Sequence, residues 1–146
     1  MNEDAEVKAE HFDGLIGTEW ISNDPDDARA RLPVRDDLRQ PFGLLHGGVI
    51  STLVESVCSW ATAGSVYDDG MAAMGQSIDV SFIRPITEGS VEVRAKARHR
   101  GRTTWIWECE VLNDAGKLCA LVSPHSACVR PTAIIRGPNR IRNNGS

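Results

Sequence analysis

The chain has 146 residues, 41% of them hydrophobic and 25% charged, with a formal net charge of −4. This suits one globular core and excludes a disordered or fibrous protein, and the acidic balance argues against a protein built to bind a nucleic-acid backbone. No run of about 18 uninterrupted apolar residues and no apolar leader occurs, so neither a membrane span nor a signal peptide is expected and the cytoplasm is the default location.

Residues 1–16 are acidic with scattered apolar positions (Val7, Phe12, Leu15, Ile16) and read as an outer N-terminal segment with a short helix. Stretches 18–22 and 28–34, separated by the turn-rich 23–27, read as a first hairpin, and 35–42 as a connecting loop. From 46 to 67 the only formal charge is Glu55. Ile50, Leu53, Val54, Val57 and Ala61 recur at three- and four-residue spacing, the apolar stripe of a long helix. The other side, with Ser51, Thr52, Glu55, Ser59 and Thr62, is polar but almost uncharged. A solvent-facing helix normally carries more charge, so a neighbouring subunit is expected to cover this side.

After the loop at 68–70 come strand-like stretches at 72–84, 90–100, 103–112 and 117–130, separated by Arg84-Pro85 with Glu88-Gly89, by Arg100-Gly101 and by Asn113-Asp114-Ala115-Gly116. Connections this short join antiparallel neighbours. The expected fold class is α+β, an antiparallel sheet wrapped around one long central helix, in a single domain over 1–131 with a mobile C-terminal tail over 132–146. Trp105, Trp107, Cys109 and Val111 alternate onto one strand face, toward the core or a subunit contact, and Asp79 reads as a solvated strand position. The four cysteines include no Cys-x-x-Cys pair and read as reduced, buried thiols, and no metal site is expected.

Two features carry chemistry. The run Gly43-Leu44-Leu45-His46-Gly47-Gly48 places two glycines at the start of the central helix. Unpaired N–H groups and the helix dipole there stabilise negative charge, and missing Cβ atoms admit a ligand, which suits the oxyanion of an attacked thioester; a ligand-free tight turn is the alternative. Glu55, set where a neighbour would bury it, can act as general base toward water or attack the acyl carbon itself; the alternative is a partly exposed helix glutamate. Gly47 and Glu55 lie about 12 Å apart along the helix axis. If they work together, they come from two antiparallel helices across a two-fold axis, each lending its Glu55 to the other's Gly47.

The run Leu38-Arg39-Gln40-Pro41-Phe42-Gly43-Leu44-Leu45-His46-Gly47-Gly48, with Glu55 following, resembles the hotdog-fold acyl-CoA thioesterases, in particular the Arthrobacter-type 4-hydroxybenzoyl-CoA thioesterases. The likeness continues through Gly75-Gln76-Ser77, Ser81-Phe82-Ile83-Arg84-Pro85, Thr103-Thr104-Trp105-Ile106-Trp107 and Asp114-Ala115-Gly116-Lys117-Leu118-Cys119-Ala120 to Val129-Arg130-Pro131. It implies a hotdog fold and hydrolysis of an acyl-CoA to free acid and CoA with no cofactor, coenzyme A being part of the substrate. It also implies a homodimer with shared sites, itself paired into a homotetramer. An aromatic acyl group is expected, 4-hydroxybenzoyl first; phenylacetyl- or medium-chain acyl-CoA hydrolysis and non-catalytic acyl-CoA binding are the alternatives.

Residue by residue, the resemblance implies that Glu55 is the catalytic carboxylate, that the Gly47 N–H polarises the thioester carbonyl, and that Gln40 aligns thioester and water. It gives His46 a supporting role in the loop and sets Ser59 where the family has a threonine near the attacking water. Arg84 and Thr103 match coenzyme A contacts. Arg102 replaces a serine, and Thr132 falls where the family has a second phosphate-binding arginine, so Arg102 is expected to supply that charge from another backbone position.

Overall fold

The computed structural model describes residues 11–123 and 127–133. A short helix α1 (Phe12–Ile16) leads to the hairpin β1 (Glu19–Ser22) and β2 (Ala28–Pro33), then to the long helix α2 (Gly47–Val66). The strands β3 (Met71–Ser77), β4 (Val80–Phe82), β5 (Ser90–Arg100), β6 (Trp105–Asn113), β7 (Leu118–Val122) and β8 (Ala127–Ala133) follow. All pair antiparallel in the order β1-β2-β5-β6-β7-β4, while β8 pairs with the first half of β6 and carries β3 on its outer edge. The expected α+β arrangement of a sheet around one helix is therefore what the chain forms.

Period two along the strands decides which face meets the helix. Ala28, Ala30 and Leu32 of β2, Val91, Val93, Ala95 and Ala97 of β5, and Trp107, Cys109 and Val111 of β6 are buried on the concave face. The many alanines there let α2 sink close to the sheet, and its stripe of Ile50, Leu53, Val54, Val57 and Ala61 fills the space. On the convex face Arg94 sits opposite Glu110 and Lys96 opposite Glu108. The span Gly47–Asp69 is long and apolar enough by length and composition to cross a membrane, with a mean hydropathy of 1.2. Its apolar stripe packs against the sheet, which accounts for that composition.

Thr62 departs from expectation: it is fully buried rather than on the polar side. Four and eight residues beyond Cys58 and Val54, it belongs to their stripe. Its hydroxyl donates to the Cys58 carbonyl at 2.8 Å and accepts the Trp107 indole N–H at 3.2 Å, which lets β6 bury a tryptophan with its donor satisfied. Cys58, Cys109 and Cys119 are buried thiols, whereas Cys128 is only half-buried. Cys58 Sγ lies 3.4 Å from Cys109 Sγ. Burial, reinforced by that neighbour, pushes the Cys58 thiol well above its ordinary range, so it stays protonated and inert.

The stretch 72–84 is two strands, broken at Ile78 and Asp79, and 117–130 is broken in step between β7 and β8. The Ser123 N–H donates to the Asp79 carbonyl at 3.1 Å and its hydroxyl to Asp79 Oδ2 at 3.2 Å. Asp79 thus ties the two breaks together instead of lying in a strand. Strand β8 extends past the expected boundary at 131, with Thr132 and Ala133 paired to Ala72 and Met71. The rest of the expected tail, 134–146, and residues 1–10 of the N-terminal segment lie outside the described residues.

Candidate active site

The loop before α2 leaves two donors uncommitted. Arg39 anchors it, donating to Asp36, to the Gly43 carbonyl at 2.8 Å and to the Thr87 carbonyl. Gly43, at φ 88°, closes the turn with its N–H on the Gln40 carbonyl at 2.9 Å. Gln40 Oε1 accepts the Phe42 N–H at 2.7 Å, which fixes the side chain and leaves its amide NH2 as a donor. His46 is the N-cap of α2, its Nδ1 accepting the Gly48 N–H at 2.9 Å. The Gly47 N–H, at the positive end of the helix, has no acceptor among the described residues. The Phe82 ring lies so close to Gly47 that a Cβ would come within 2.8 Å of it. Gln40, Gly47, Phe82, Ile83 and Arg84 line one cleft of about 390 Å3.

A second cleft, of about 580 Å3, lies further along α2, between Glu55, Ser59 and Trp60 of the helix, Met74 and Gly75 of β3, Trp20 of β1 and Asp13 of α1. Glu55 is exposed, because none of the described residues covers it as its expected burial would require. It makes no hydrogen bond or ion pair among the described residues. Its carboxylate lies directly on Gly75, where a Cβ would collide with Oε1. Ser59, one turn on, has its hydroxyl shut away from solvent without a hydrogen-bond partner. The Trp20 and Trp60 rings, centroids 4.4 Å apart, form part of the wall.

Gly75→Ala tests the seat of Glu55. The added methyl displaces only the mobile end of an exposed side chain, so the melting temperature is expected to hold. The displaced carboxylate is expected to lower kcat about tenfold or more, as mispositioned groups do. A melt and steady-state rates check both, and an unchanged kcat would mean the seat has no part in the reaction.

The structure thus brings Gln40, Gly47 and Arg84 together, and Glu55 and Ser59 together, but keeps the two sets in separate clefts. Between them runs a sheet edge that is open among the described residues: there β3 pairs with β8 alone, and Met74, Ile78, Phe82 and Ile83 are exposed on β3, β4 and their flanks. Such an edge can take another strand. Arg102 and Thr103 sit in the exposed β5–β6 turn, whose Thr104 hydroxyl contacts Gln76 Oε1 at 3.3 Å. Arg84 lines the Gln40 cleft, which Gln76, Arg102 and Thr103 do not, so among the described residues these groups do not share a cleft. The sequence reading gave no role to Gly75, although a glycine inside a strand signals close approach, or to Asp13, whose place depends on α1 packing against α2.

A family profile described as the thioesterase superfamily matches residues 42–120. The 1,4-dihydroxy-2-naphthoyl-CoA hydrolase of Escherichia coli is 36% identical over 95 residues, 64% of this chain and 68% of that protein. A thioesterase of Haemophilus influenzae superposes with a TM-score of 0.81 at 25% identity, over 92% of this chain and 91% of that one. A glutamine-to-alanine variant of a Pseudomonas aeruginosa thioesterase does so with a TM-score of 0.81 at 27% identity, over 90% and 94%.

Proposed function

Because the chain belongs to the thioesterase superfamily of hotdog-fold thioester hydrolases, we propose that it hydrolyses an aromatic acyl-CoA in a site completed across a two-fold axis. The observation that carries this is the division of groups along α2. A donor-bearing cleft at Gly47 and a carboxylate-bearing cleft at Glu55 lie about 12 Å apart on one helix, flanked by an open apolar sheet edge. Two antiparallel copies joined at that edge set each carboxylate against the other chain's donors, with Glu55 buried in the join.

In each site the Gly47 N–H binds the oxyanion that develops on the thioester carbonyl, and the Gln40 amide holds the thioester and water in line. Glu55 of the facing chain takes a proton from water or attacks the acyl carbon, with the Ser59 hydroxyl beside it. His46 keeps the Gly48 end of the donor loop in place. The C–S bond breaks, water supplies the new C–O bond, and the coenzyme A thiol leaves protonated. A carboxylate and two N–H donors suffice, without metal or redox cofactor. Arg84, beside the donor cleft, with Arg102 and Thr103 from another chain's turn, contacts the nucleotide end of coenzyme A. In this reading dimers pair into a tetramer, working in the cytoplasm.

Among acyl groups, 4-hydroxybenzoyl comes first, and the activity named for the Escherichia coli relative extends the reading to hydroxylated two-ring acids. The test is thiol release from 4-hydroxybenzoyl-, phenylacetyl- and decanoyl-CoA, with the hydroxylated aromatic thioester expected to turn over fastest. Absence of thiol release from every thioester would defeat the proposal.

A further inference from the structure

We infer that Arg39 is a positioning residue for the thioester: its guanidinium ties the tip of the donor loop to the segment after β4 and thereby holds the Gln40 amide in place. This inference rests on the proposed hydrolysis. The loop from Leu38 to His46 is a narrow hairpin. At its base the His46 N–H donates to the Leu38 carbonyl at 2.9 Å and the Gln40 N–H to the Leu44 carbonyl at 2.8 Å. The Leu45 N–H joins this base to the body of the protein through the Ile86 carbonyl, at 2.8 Å. The tip, from Gln40 to Gly43, is closed by the Gly43 N–H on the Gln40 carbonyl and the Phe42 N–H on Gln40 Oε1, both bonds within the turn. Such bonds fix the shape of the tip and leave its place open. Packing does not fix it either, since Pro41, Phe42 and Gly43 are all exposed.

Arg39 supplies the place. One terminal nitrogen donates both to the Gly43 carbonyl, at 2.8 Å, and to the Thr87 carbonyl, so a single cation bridges tip and body. Its Nε donates to Asp36 Oδ1 at 3.1 Å, which sets the plane of the fork. Asp36 is fully exposed, so that ion pair adds little by itself; bonds from a cation to carbonyls, made by a side chain only 25% exposed, hold better. Among the described residues no other hydrogen bond links the tip to a distant part of the chain. The consequence falls on Gln40, whose side chain is bound to the Phe42 N–H and moves with the tip. Arg84 has ties of its own, the Ile83 and Arg84 N–H groups donating to the Cys119 carbonyl at 2.8 and 3.0 Å. Losing Arg39 therefore misplaces a group that acts in the transition state and leaves the coenzyme A contact where it was.

The experiment measures kcat and KM for thiol release from 4-hydroxybenzoyl-, phenylacetyl- and decanoyl-CoA, well below the melting temperature of each variant. On the thioester that the wild type cleaves fastest, Arg39→Met, which keeps the apolar stem and loses every donor, is expected to lower kcat about 10- to 30-fold with KM within about threefold. Arg39→Lys, whose ammonium still reaches both carbonyls but lacks the planar fork, is expected to recover part of that loss and stay about three- to tenfold below wild type. The lysine variant decides the matter alone if the methionine variant does not fold. A purely structural arginine would lower the melting temperature and leave the kcat of the folded enzyme unchanged, which would overturn the inference. A loss carried by KM would place Arg39 in coenzyme A binding and overturn it as well. Either result leaves the hydrolase intact; no cleavage of any thioester by the wild type would overturn both.

Discussion

Glu55→Ala is expected to lower kcat about 100-fold or more on every thioester the enzyme cleaves, the loss typical of a missing acid–base group. Stability is expected to stay within about 0.5 kcal/mol of wild type in the protomer, because Glu55 is exposed and holds no partner among the described residues. That combination separates a catalytic group from a structural one. Cys58, less than a turn away in the same helix, cannot stand in as the nucleophile, since burial keeps it a protonated thiol. Steady-state thiol release and a thermal melt on the same preparation check the prediction, and wild-type turnover by the variant would remove Glu55 from the chemistry.

Mixing two inactive enzymes is expected to make an active one. Chains carrying Glu55→Ala and chains carrying Gln40→Ala, unfolded together and refolded at equal amounts, pair at random, so half of the dimers are mixed. Each mixed dimer has one site in which intact Glu55 meets intact Gln40, and one site with both defects. About a quarter of the wild-type sites therefore return, far above either parent, if the halves of each site come from different chains. If one chain supplied both groups, every site in the mixture would keep a defect and no activity would return.

How much of this was readable in the sequence depends on how far each determinant reaches. The helix and the separation of Gly47 from Glu55 are local geometry, and both were legible. Thr62 was misassigned because its hydroxyl was weighed before its spacing. Its true partner, Trp107, lies 45 residues away, so only the folded chain explains why a polar group belongs in the core. The break at Asp79 was invisible because alternation runs from Ile78 to Phe82, whereas Pro124, directly after Ser123 in the sequence, was an overlooked signal of the second break. Glu55 is exposed in the single chain, and the second chain expected to cover it was suggested by the uncharged polar stripe of the helix, whereas the docking of α1 on α2 that places Asp13 leaves no mark in periodicity.

Because the outer strands break in step, the two half-sites rest on separate ribbons of one sheet. The ribbon of β4 and β7 carries Phe82 against Gly47, and the ribbon of β3 and β8 carries Gly75 beneath Glu55. Substitutions accumulating on the second ribbon, or on the helix and hairpin that wall its cleft, can reshape the Glu55 cleft without disturbing the backing of the Gly47 N–H. Descent can therefore diversify the diet of such an enzyme while its means of breaking the thioester bond is inherited unchanged.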